Sequence, residues 1–232
     1  AGMFSAMEPD QLTSIGSDGL VDAFANMGLD GVVAMSGDNL AEMFDVMGGV
    51  GLGELDATTL ESAAAAMGGA DMVEMGASAA ATMFGTLTAD IGAAAFTGDQ
   101  LGGLFGALDP ADIGTAISPD VLLESTEKMT IEHFSNVGGE QAGAMFDTLG
   151  SDQVMELGGE QIAGMFSAMQ SEQLSDLGGA AVAEALVTMG TENAIGMGAD
   201  NLAEIVESLG VADMATVGGN VLLDLTSAMT GE

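Results

Sequence analysis

Cysteine, tyrosine and tryptophan are absent from this 232-residue chain, and its one Lys or Arg, Lys128, stands against 36 acidic residues. Without cysteine there is no disulfide framework, no thiolate metal centre and no cysteine nucleophile. Without a second Lys or Arg the formal net charge is −35, and phosphates cannot be neutralised. Nucleic acid and anionic membrane surfaces are therefore not expected partners. Divalent cations, high salt or a basic partner surface are the counterweights such a chain calls for. No apolar run approaches the roughly 20 residues needed to cross a bilayer, so no transmembrane segment is expected. No basic-then-apolar signal segment stands at the start, and a chain opening on Ala1 is expected to be a mature or excised piece.

What is present is apolar and small. Hydrophobic residues make up 48% of the chain and the mean hydropathy is +0.40, which favours a packed fold over the disorder that one-signed charge imposes on a polar chain. The segments VGGEQAGAMF (137–146) and LGGEQIAGMF (157–166) then reveal the organisation. Anchoring each copy on the apolar residue before a Gly/Ser-rich turn gives Ile15, Met35, Leu55, Met75, Phe96, Ile117, Val137, Leu157, Leu177, Met197 and Val217. The step is 20 residues, except for two consecutive steps of 21 between Met75 and Ile117.

Within each copy the apolar positions recur at offsets 5, 8, 9 and 12 from the anchor, the spacing of one helical face rather than of a strand. They predict a core ladder of Leu20, Phe24, Met27, Leu40, Phe44, Met47, Phe84, Phe105, Phe146, Phe166 and Met169. Acidic residues near each start (Asp18, Asp38, Asp99, Asp120, Glu140, Glu160, Asp200) suit the positive end of a helix. Glycines after the Met/Leu position suit a helix stop. A second start signal follows, as in GSDQV (150–154) and QSEQL (170–174), and Pro9 and Pro110 fit a first helical position. Each unit thus predicts a helix of about ten residues, a turn, a helix of about five and another turn. Helices so short are marginal alone, so stacking must stabilise them.

The expected fold is all-α: one continuous array over residues 1–232, a solenoid of about eleven two-helix units on the order of 100 Å long. The 21-residue steps predict a local change of twist at 91–117. Met3, Phe4, Met7 and Leu12 continue the register at one end, and Gly231 and Glu232 fall where a short helix should begin at the other. The array is therefore expected to be open at both ends, cut from a longer one or docked on neighbouring copies.

Chemistry is sparse. His133 is the single histidine and, with no Cys or basic companion, reads as structural or solvent-exposed. The glycine run MGGVGLGELD (47–56) has no preceding strand and the wrong spacing for a dinucleotide loop. The nineteen methionines sit mostly at core offsets, as fillers interchangeable with leucine rather than as copper ligands. No catalytic set appears and no enzyme is expected. The turns at Asp18, Asp38, Asp99 and Asp200 are candidate weak calcium or magnesium sites, although no EF-hand loop occurs; no other cofactor is expected.

The unit, with its turn, D/E-Q/N-L, Phe and Met/Leu positions, resembles the short helix-turn-helix tandem repeats of α-solenoid proteins, including repeat regions of large bacterial surface proteins. The resemblance covers the whole chain. With the open ends, it leads to the expectation of a structural, self-associating protein of an extracellular filament, sheath or surface layer, or an adhesin stalk. The alternative is an acidic solenoid that binds divalent cations or a basic protein.

Overall fold

The computed structural model describes residues 4, 7 and 9–230. The expectations for Met3, Gly231 and Glu232 lie outside the described residues. The protein is all-helical, and no strand occurs among the described residues. The chain gathers into two compact units, one up to Ile117 and one from Ser118. The first holds α1 (Pro9–Val33), α2 (Gly37–Leu52), α3 (Ala57–Ala66), α4 (Gly69–Glu74), α5 (Ala77–Ile91), α6 (Gly98–Ala107) and α7 (Pro110–Ala116). The second holds α8 (Pro119–Glu127), α9 (Gly139–Val154), α10 (Gly159–Ala168), α11 (Ser171–Leu177), α12 (Gly179–Gly196), α13 (Ala199–Ser208), α14 (Val211–Val217) and α15 (Gly219–Thr230).

From α2 onward, every longer helix begins two residues past an anchor. Shorter helices follow wherever the chain extends for one residue at the breaker, as at Gly68 before α4 and Gln170 before α11. Where the breaker is Gly48 or Gly150, the long and short helices run on with a kink, and that glycine takes φ of 59° or 66° with an extended ψ. This corner of backbone space is essentially closed to residues with a Cβ. The short helix is replaced by 3₁₀ turns at Gly92–Ala95, inside the stretch of 21-residue steps, and at His133–Asn136.

In the first unit α1 packs on α2 and α3, α2 on α4 and α5, and α4 on α6. In the second, α10 packs on α9 and α12, α11 on α9 and α13, α12 on α14 and α15, and α13 on α15. Long helices of successive repeats are neighbours, as with α9 and α10 or α10 and α12, and short helices pack on the long helix of the next repeat but one, as with α4 on α6 and α11 on α13. The interior is built from the repeat positions. Leu20, Phe24, Leu40, Phe44, Met47, Phe84, Phe105, Phe146, Phe166 and Met169 are buried, whereas Met27 is half-buried. Phenylalanines of successive repeats meet in pairs, Phe24 with Phe44, Phe84 with Phe105 and Phe146 with Phe166, their ring centres 5.4, 5.5 and 5.8 Å apart. At such separations rings add attraction beyond the area they bury.

Candidate functional site

The residues that tie repeat to repeat are polar. Gln100, in the first turn of α6, accepts the Thr97 N–H through Oε1 at 2.9 Å, while its own N–H reaches Thr97 Oγ1 at 3.3 Å. That reciprocal pair caps α6. The Nε2 of the same side chain donates, where α3 ends, to Ala64 O at 2.7 Å, which also accepts the Met67 N–H, and to Met67 O at 2.8 Å. One buried amide thus closes the start of one helix and the end of another more than thirty residues earlier. Gln161, at the same offset in its repeat, donates from Nε2 to Met129 O at 2.8 Å. The sequence shows this residue only as the Q of D/E-Q/N-L, and a local capping box accounts for half of its bonds.

A second link lies at the start of four long helices, α2, α9, α10 and α12. A methyl group on Gly37 would strike Asp71, on Gly139 Gln173, on Gly159 Asn193 and on Gly179 Asp213. Each pair has the same separation along the chain, so glycine recurs there because a neighbouring repeat occupies the space a Cβ needs. Asp71, Gln173 and Asp213 also turn back to accept the N–H at the start of their own short helices, from Gly68, Gln170 and Gly210.

Of the candidate cation-binding turns, Asp18, Asp38, Asp99 and Asp200 are all exposed, and the structure does not gather them. Among the described residues no group of three or more His, Asp or Glu side chains is arranged to hold a metal ion. Two of the four are engaged elsewhere. Asp99 Oδ2 accepts the Gly69 N–H at the start of α4, at 2.7 Å. Asp38 faces Asp71, whose carboxyl is pushed above the ordinary range by partial burial and by the hydrogen bond and charge of Asp38, with Glu74 adding repulsion and the Gly68 N–H opposing it. In the second unit the matching place in the repeat holds an amide: Gln153 Nε2 donates to Asp120 at 3.0 Å. Asp56 caps α3, and the Thr59 N–H and hydroxyl, at 2.9 and 3.1 Å, hold its carboxyl below the ordinary value.

His133 is half-buried in its 3₁₀ turn, where Nδ1 accepts the Thr130 N–H at 2.9 Å and lies 3.2 Å from the Thr130 hydroxyl. By accepting a backbone amide three residues back, the ring closes the turn that precedes it. Beside it a shallow hollow is lined by Ile131, Phe134, Ser135, Val137, Ser167 and Ala168. The glycine run at 47–56 carries the kink of α2 at Gly48 and the turn that follows Leu52. Among the described residues no helix is long and apolar enough to cross a membrane. No protein-family model matches the chain, and no curated protein or solved structure matches it either.

Proposed function

We propose that the chain is a solenoid of about eleven 20-residue two-helix repeats. Its role is structural: a self-associating component of an extracellular filament, sheath or surface layer, or the stalk of an adhesin. The observation that carries this reading is the recurrence of one interlock, the glycine two residues past the anchor seated against a side chain of the next repeat at Gly37, Gly139, Gly159 and Gly179. An interlock that recurs from one repeat to the next, as it does over three successive repeats at Gly139, Gly159 and Gly179, is one that further copies can extend. The acidic surface keeps copies apart until cations screen or bridge it, and calcium or magnesium is the natural bridge between carboxylates.

The test is electron microscopy of the protein in calcium and then in chelator. Filaments of uniform width in calcium that dissolve in chelator are the expected result. Discrete particles under both conditions would overturn the self-association.

A further inference from the structure

Of the nineteen methionines, Met155 is the single exposed one among the described residues, with 45% of its surface open to solvent. It stands as the C-cap of α9. In the same compact unit Met145, Met165, Met169 and Met189 are at most 3% exposed. A thioether packed in the interior meets an oxidant only when the structure opens, whereas Met155 meets it in the folded state.

The sulfur also has a partner. Thr188, near the end of the long segment of α12, directs its hydroxyl to Met155 Sδ at 2.9 Å and to the Glu184 carbonyl at 3.0 Å. One hydroxyl proton thus serves two acceptors, and thioether sulfur is the weaker of them. Thr188 lies 33 residues on, in the next repeat but one. In the other repeats with a large apolar residue at the offset of Met155, alanine stands at the offset of Thr188: Ala66 for Val33, Ala107 for Val73 and Ala228 for Ile195. Of these four, only the thioether is matched with a hydroxyl.

The net charge of −35 repels anionic oxidants but not neutral hydrogen peroxide. We propose that Met155 is an oxidation site: hydrogen peroxide converts its thioether to the sulfoxide, and the new oxygen accepts the Thr188 hydroxyl and fastens the two repeats. The sulfur lone pair attacks one peroxide oxygen and the O–O bond breaks. The sulfur, oxidised by two electrons, keeps that oxygen, and the other takes both protons and leaves as water. A sulfoxide oxygen is a stronger acceptor than a thioether, and its polarity costs little at a position already in water. The unbranched side chain is free to turn that oxygen toward Thr188. The inference goes beyond the structural role and does not require self-association.

The full chain would be treated with dilute hydrogen peroxide and its sulfoxides located by mass spectrometry of a digest. Met155 should oxidise at least about tenfold faster than Met145, Met165, Met169 and Met189. In the chain oxidised at Met155 alone, hydrogen exchange should slow by at least about twofold in peptides covering 151–157 and 184–190. Thr188→Val, with helical circular dichroism unchanged, should still oxidise at Met155 but lose the slowing, and Met155→Leu should show none. Buried methionines that keep pace with Met155 would overturn the oxidation site. Exchange that is unchanged or faster in the oxidised parent, or slowing that survives in either variant, would overturn the fastening by Thr188.

Discussion

At the scale of single residues, the side chains that hold repeats together are those whose second partner is distant in sequence. Gln100 is the clearest case. Replacing it with leucine removes the donor to Met67 O and one of two donors to Ala64 O, which keeps the Met67 N–H at 3.1 Å. We expect Gln100→Leu to cost about 1–3 kcal/mol in urea unfolding followed by circular dichroism, the cost of one unsatisfied buried acceptor. Gln161→Leu, which removes one such bond to Met129, should cost less. Asp71 gives a prediction of opposite sign. Its carboxyl titrates above the ordinary range, so the folded state favours the protonated form. That contribution is complete below the unfolded value and fades as pH rises through the folded one. Asp71→Asn keeps an oxygen for the Gly68 N–H and removes the repulsion from Asp38 and Glu74. It should raise the stability at pH 7 by no more than about 1 kcal/mol given solvent screening, read as a higher melting temperature, and make no difference near pH 3. Asp56 runs the other way. Held low by Thr59, it supports α3 above the unfolded value and loses that support in acid, so Asp56→Ala should lower the melting temperature at pH 7 and have no effect in strong acid.

At the scale of elements, the helix starts were legible because burial of one face imposes its period directly on the sequence. Leu20, Leu40, Leu60, Leu101 and Leu122 share an offset and are all fully buried. Met27 shares its offset with the buried Met47, Met67 and Met169 yet stays half-buried, a difference of neighbours that a period cannot express. Nor could the sequence separate glycines by conformation. Gly48 and Gly150 turn a corner at positive φ, while Gly68 and Gly210, at the same offset in their repeats, are extended with φ of −92° and −77°. The Asp99 bond to Gly69 and the Gln100 bonds to α3 were hidden for the same reason: they depend on which repeat stacks on which. Conformation makes the glycines testable. Gly150→Ala, forced to φ 66° and ψ 167°, should destabilise by about 1–3 kcal/mol. Gly85 lies within α5 at ordinary φ, with nothing within 4 Å of an added Cβ, so Gly85→Ala should stabilise by about 0.5–1 kcal/mol. The two midpoints from chemical unfolding should move in opposite directions. A shared direction would mean that backbone freedom is not what sets these positions.

At the scale of the whole molecule, charge sets the terms. Folding draws 36 acidic side chains together with one Lys or Arg among them, and the resulting self-repulsion opposes the compact state. The opposition should weaken as the screening length falls from about 30 Å at 0.01 M salt to about 10 Å at 0.1 M. We therefore expect the melting temperature to climb over that range and to flatten above it, at a protein concentration low enough to keep copies apart. Divalent cations separate screening from bridging. If calcium acts only through ionic strength, millimolar calcium and sodium chloride of matched ionic strength will give the same melting temperature. If carboxylates of neighbouring copies share the ion, calcium should exceed its match, and the excess should grow with protein concentration, because mass action couples stability to association. An excess that does not depend on concentration would instead place the ion within one copy, and the carboxylates would then serve the single chain rather than its assembly.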